Sequence, residues 1–141
     1  MDRIAAEPEE VARFLAGMTP ERMWAMVLDG SDPSDRAVYT TPAFEGAYRR
    51  ALAEAFAQGP GGYVRDTLLA MSRWPFDPGA VRVPVDLWYG ARDTSPVHSP
   101  DHGATLASRL SPARRTVLPD AGGALLWTHG REVLERLLEH A

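Results

Sequence analysis

The most constraining stretch of this sequence runs from Val83 to Asp93, because it is typical of a short buried strand that presents an acid. Its apolar and β-branched residues are opened by Pro84 and closed by Gly90, which is the pattern of a strand bounded by turn residues. A proline fits the first residues of a strand but not its middle. In open α/β sheets, ligands bind outside the carboxyl ends of the strands. Position alone leaves two interpretations of Asp93, a turn cap or a functional acid.

The residues after this strand predict a βαβα unit, and hence the α/β fold class. A helix is expected from about Ser99 to Leu110, a second strand over 114–118, and a last helix from about Thr128 to Glu139 with an apolar stripe. This alternation with short links favours two parallel strands joined by a right-handed crossover. Parallel sheets are normally covered on both faces and contain more strands. We therefore expect the remaining strands to come from upstream residues or from another chain.

The first half of the chain is predicted to be helical. Thr19-Pro20 and Thr41-Pro42 both indicate a helix start, with an N-cap threonine and a proline at the first helical position. From Pro42 to Gln58, apolar residues recur at three- and four-residue steps, as they do on the buried face of a helix. The apolar stripes of this half are expected to form a core.

An alternative for part of that apolar set is a substrate pocket. Methionine and tryptophan suit adaptable apolar binding walls as well as they suit cores. The candidate wall residues are Met23, Trp24, Met26, Trp74 and Phe76.

Composition excludes several classes of protein. The chain has 141 residues and a net charge of −4, with 15 basic and 19 acidic residues, which argues against a nucleic-acid partner. The absence of cysteine removes disulfides, thiol nucleophiles and cysteine-ligated metals. No run approaches 18 apolar residues and the N-terminus lacks an apolar signal region, so we expect a cytoplasmic protein without a membrane span.

A series of short motifs runs through the second half of the chain. In order, they are Trp88-Tyr89-Gly90-Ala91-Arg92-Asp93, Pro96-Val97, His102-Gly103, Leu106-Ala107, Leu110 and Pro119-Asp120-Ala121-Gly122. Their order and spacing resemble the C-terminal part of an α/β-hydrolase-fold protein of the serine hydrolase or esterase kind. The helical first half resembles the cap, or lid, that these enzymes insert before their last two core strands. The resemblance implies a partial α/β-hydrolase fold, with a helical cap over 1–77 and a parallel βαβα part of the core over 78–141.

The resemblance also implies a reaction and its residues. Enzymes of this fold use a serine on a Gly-x-Ser-x-Gly elbow, an acid and a histidine, in that chain order. The position of the acid matches Asp93, whose carboxylate would fix the tautomer of the histidine and stabilise the imidazolium. The implied activity is hydrolysis of an ester or a related apolar acyl substrate, without a cofactor.

Two departures from that pattern bear on activity. No Gly-x-Ser-x-Gly occurs in the 141 residues, and Gly123 stands where the histidine is expected. His129 is the replacement base that we consider, although a structural role is the alternative. His98 and His102 lie in and after the Asp93 loop, and for His102 we expect capping or packing at the helix start. The spacing of the histidines does not favour a metal site.

Two functions follow as expectations. In the first, the chain is a truncated hydrolase that is inactive alone and needs a complementary N-terminal half to act on its acyl substrate. In the second, it is a non-catalytic relative that serves as a binding or assembly partner, for which a homo-oligomer is one form. We expect no nucleic-acid partner, no membrane partner, no metal and no cofactor in either case.

Overall fold

A computed structural model of the chain describes residues 8–95 and 98–139. Pro96 and Val97 of the motif series lie outside the described residues. In chain order the elements are α1 (Pro8–Ala16), α2 (Pro20–Asp29), α3 (Pro33–Tyr39), α4 (Pro42–Ala55), α5 (Gly61–Met71), a 3-10 turn (Pro78–Ala80), β1 (Val85–Gly90), α6 (Ala104–Arg109), β2 (Ala113–Leu118), α7 (Leu125–Thr128) and α8 (Gly130–Leu138). Mixed helices and strands make this an α/β protein. Within the described residues, no helix is both long and apolar enough to cross a bilayer.

The chain divides into two compact units. The first contains residues 8–27 and 42–76, and the second contains 28–41 and 77–139. A single boundary after residue 77 was expected from the sequence. The structure instead places 28–41, which includes α3, in the second unit, where the Asp35 side chain binds the loop after β2.

The first unit is helical, and α2 and α4 begin at Pro20 and Pro42 as the sequence predicts. The Thr41 hydroxyl donates to the Val38 carbonyl at 2.9 Å, whereas Thr19 has the predicted capping role. Thr19 Oγ1 accepts a hydrogen bond from the Arg22 amide at 3.2 Å, which caps the start of α2. Helices α1 and α5 pack against each other. The buried apolar side chains of this unit are Leu15, Met18, Met23, Trp24 and Leu52.

The second unit is built on a parallel pair of strands. β1 pairs with β2 so that Val85 lies opposite Ala113 and Gly90 lies opposite Leu118, and the predicted parallel pairing is confirmed. The strand begins at Val85, after Pro84, because proline has no N–H to donate to the ladder. Since both strands run in the same direction, the loops that follow them meet at one edge.

The last predicted helix is present as α8 (Gly130–Leu138), and the short helix α7 (Leu125–Thr128) precedes it. The apolar stripe of α8 does not form a core, because Leu134, Leu137 and Leu138 are more than half exposed.

Candidate functional site

The loop after β1 is held tightly against the loop after β2. The Arg92 amide donates to the Ala121 carbonyl at 2.9 Å, and the Asp93 amide donates to Gly90 at 3.2 Å. A Cβ at Gly90 would collide with the carbonyl oxygens of Ala121 and Gly122. Glycine at position 90 therefore allows the two loops to approach each other, and this contact helps to position Asp93 just beyond the end of β1.

The Asp93 carboxylate binds a histidine. Its Oδ1 accepts a hydrogen bond from the Ser95 amide at 3.0 Å, and its Oδ2 lies 2.6 Å from Nδ1 of His98. The Asp93 side chain is 17% exposed and that of His98 is 54% exposed. Because a carboxylate only accepts hydrogen bonds, this contact places a ring proton on Nδ1, and in a neutral imidazole Nε2 is then the acceptor. The sequence had given His98 no catalytic role.

A second carboxylate holds the loop after β2. Asp35 on α3 is only 3% exposed. Its Oδ2 accepts from the Gly123 amide at 2.7 Å and its Oδ1 accepts from the Ala124 amide at 3.0 Å. A Cβ at Gly122 would collide with this carboxylate. The sequence missed Asp35, because its partners lie almost 90 residues further along the chain and no local spacing connects them.

Gly123 lies between the two acids without being sterically required. A Cβ built there would lie 3.5 Å from Asp93 Oδ1 and 3.5 Å from Asp35 Oδ2, which is ordinary van der Waals contact. A side chain at this position would therefore adjoin Asp93. The position where the resemblance expects a histidine thus lies beside the position where it expects the acid.

The His129 ring contacts Thr128, whereas a role as replacement base requires a contact with Asp93. Its ring Nδ1 lies 2.8 Å from Oγ1 of Thr128, and its backbone stands between α7 and α8. The described partners of the Asp93 carboxylate are the Ser95 amide and the His98 ring. A role for His129 as replacement base stays a prediction.

The start of α6 is capped by the side chain of Asp101. Asp101 accepts hydrogen bonds from the Thr105 amide at 2.8 Å and from the hydroxyls of Thr105 and Ser99. These bonds, led by the Thr105 hydroxyl, hold the pKa of Asp101 well below its usual value. His102 contributes its carbonyl, which accepts from Arg115 Nε at 2.6 Å.

The predicted pocket residues belong to the first unit and differ in their surroundings. Met23 and Trp24 are buried, and the Trp24 ring packs 5.6 Å from the Tyr48 ring. The rings of Trp74 and Phe76 stack at 5.3 Å on the surface. Core packing therefore explains Met23 and Trp24, and Met26 is half-buried. A role of these side chains in binding substrate stays a prediction.

The polar groups described at the carboxyl edge of the sheet include the carboxylates of Asp93 and Asp35, the His98 imidazole and the amides of Gly123 and Ala124. Across residues 8–95 and 98–139, no three His, Asp or Glu side chains form a group that could hold a metal ion. The arrangement offers an oriented base instead. Comparison with known proteins finds no matching family, no similar curated protein and no similar solved structure.

Proposed function

We propose that the chain is an α/β-hydrolase-type protein that takes part in hydrolysis of an ester or a related acyl substrate. Asp93 is the acid of its catalytic pair and His98 is the base. The observation that carries the proposal is the 2.6 Å contact between Asp93 Oδ2 and His98 Nδ1 at the carboxyl edge of a parallel sheet. An acid followed by a histidine at this edge is what general base catalysis of acyl transfer requires.

The chemistry assigns one role to each side chain. His98 Nε2 takes the proton of a hydroxyl as its oxygen attacks the acyl carbon, and it returns the proton to the departing alkoxide. Asp93 holds the ring through Nδ1 and stabilises the imidazolium that forms between these steps. In this arrangement the base lies in the loop after β1, and Gly123 no longer has to supply it.

No Gly-x-Ser-x-Gly elbow occurs in the 141 residues of the chain. We infer that a separate polypeptide segment supplies the serine and the donors for the oxyanion. The chain alone should then hydrolyse p-nitrophenyl butyrate no faster than buffer. Turnover by the chain alone that is lost in His129→Ala but kept in His98→Ala would contradict the proposal and make His129 the base.

The positive test begins with the DNA next to the gene. In-frame sequence upstream of Met1, or a neighbouring gene, should encode strands and a Gly-x-Ser-x-Gly elbow. Co-expression with this chain should give ester hydrolysis that falls at least a hundredfold in His98→Ala. Asp93→Asn should lower the rate by no more than His98→Ala does, because Asp93 acts through the His98 ring. His129→Ala is the matched control and should retain activity. Full activity in His98→Ala would refute the assignment of the base.

The second candidate is a non-catalytic binding or assembly partner. The observation in its favour is the exposed apolar face of α8, formed by Leu134, Leu137 and Leu138, because large exposed apolar patches mark interaction surfaces. Sedimentation and thermal unfolding of the purified chain distinguish the two. A cooperative unfolding transition, no encoded elbow and no ester turnover in any combination would favour this function over the hydrolase.

A further inference from the structure

The first unit contains an open groove between α1 and α5. Its volume is about 880 Å³, within the range of small-molecule pockets. Ala12 and Ala16 line it from α1, and Val64 and Leu68 line it from α5. The two alanines are short, so a space remains where a larger side chain on α1 would close it.

The charged side chains of the described residues that line this groove are positive. Arg65 and Arg73 line it, and no carboxylate of the described residues does. Within the part of the chain that the structure describes, neither guanidinium takes part in an ion pair. An arginine side chain stays charged and matches the planar geometry of a carboxylate. The groove thus combines an apolar trough with two positive groups that are free to bind an anion.

We propose that this groove binds a free single-chain fatty acid. The hydrocarbon chain lies along Val64 and Leu68, and the carboxylate pairs with Arg65 or Arg73. Apolar length and a single anionic end are the two properties that the groove complements. The site lies wholly within the first unit and uses neither Asp93 nor His98. The proposal can therefore be tested independently of the proposed hydrolase chemistry.

Calorimetry with the full chain and laurate below its micellar concentration tests the proposal. We expect saturable binding of one laurate per chain, at least tenfold tighter than that of dodecanol, which has the same chain length and no charge. From octanoate to laurate, each added CH₂ should strengthen binding about threefold to fourfold, because each one buries further apolar surface.

Variants separate the two halves of the site. Arg65→Gln combined with Arg73→Gln should remove the preference for laurate over dodecanol, whereas Arg50→Gln, on α4, should leave it unchanged. Ala16→Trp should fill the groove and weaken both ligands at least tenfold. Circular dichroism shows whether each variant keeps its helices.

The proposal would be overturned if the native chain bound laurate and dodecanol with equal affinity, or if it showed no saturable binding of laurate. It would also be overturned if a folded Ala16→Trp variant still bound laurate. Association with anionic vesicles in the absence of monomeric laurate binding would also count against it, since it assigns the two arginines to a membrane surface.

Discussion

The loops after β1 and β2 meet at the same edge of the sheet but carry different kinds of groups. The loop after β1 presents side chains, with Asp93 bound to His98. The loop after β2 presents backbone, with the amides of Gly123 and Ala124 bound to Asp35. The first loop therefore presents a carboxylate and an imidazole in contact, and the second loop is held in place by a buried acid.

This difference bears on which residue could replace the histidine that the resemblance expects at position 123. Gly123 cannot act as a base, but the acid that would orient a base at that position lies only 3.5 Å from where a Cβ would stand. The same acid binds His98 with its other oxygen. Under the proposed function, the imidazole comes from the same loop as the acid, and not from the loop that contains Gly123.

The largest effect is expected from Asp35→Ala. The substitution leaves the amides of Gly123 and Ala124 without their acceptor in a buried place, which should lower the free energy of unfolding by about 3 kcal/mol. Urea unfolding measures the loss. Asp32→Ala is the matched control, because Asp32 caps the same helix at its exposed start and its loss should be smaller. Equal losses would show that Asp35 acts as an ordinary α3 residue.

The neighbouring glycines should respond very differently to alanine. Gly122→Ala places a Cβ against the Asp35 carboxylate and should cost about 2 kcal/mol of stability through overpacking. Gly123→Ala meets only van der Waals contacts and should change stability by less than about 0.5 kcal/mol. Thermal unfolding of both variants provides the measurement. A Gly123 variant as unstable as the Gly122 variant would mean that the space beside Asp93 is not available.

The cap that Asp101 forms at the start of α6 should make the stability of the chain depend on pH. The folded pKa of Asp101 is depressed, so its contribution to stability is present above the unfolded value of about 3.9 and is lost as pH falls through the folded pKa. Asp101→Asn should therefore lower the urea midpoint at pH 7, and the difference from the native chain should shrink below pH 4. Asp120→Asn, at a highly exposed ion pair with Arg92, is the control. A difference that is constant with pH would contradict the capping role.

A small effect on stability is also expected at His98. Its exposed contact with Asp93 should contribute less than about 1 kcal/mol, so His98→Ala should unfold close to the native chain. Nitrogen-15 NMR of the native chain should show the His98 proton on Nδ1, and Asp93→Asn should shift the ring away from that tautomer. An unchanged tautomer in Asp93→Asn would mean that Asp93 does not orient the ring.

Local signals in the sequence were enough for most of the elements. Threonine–proline pairs located the starts of α2 and α4, and the apolar run after Pro84 located β1. The alternation of strands and helices was enough for the parallel pairing. Boundaries were less accurate where a side chain competes with the helix. Asp101 binds the amides of Gly103 and Thr105, so α6 begins at Ala104 instead of Ser99.

The sequence by itself determined that an acid follows a buried strand, because apolar runs, proline and glycine act on their own neighbours. It also determined that no serine elbow is present. Only the tertiary structure decided that Asp93 binds His98, that Asp35 secures the glycine loop, and that 28–41 belongs to the second unit. These contacts depend on which surfaces meet after folding, and the distance along the chain between Asp35 and Gly123 leaves no periodic signal of it.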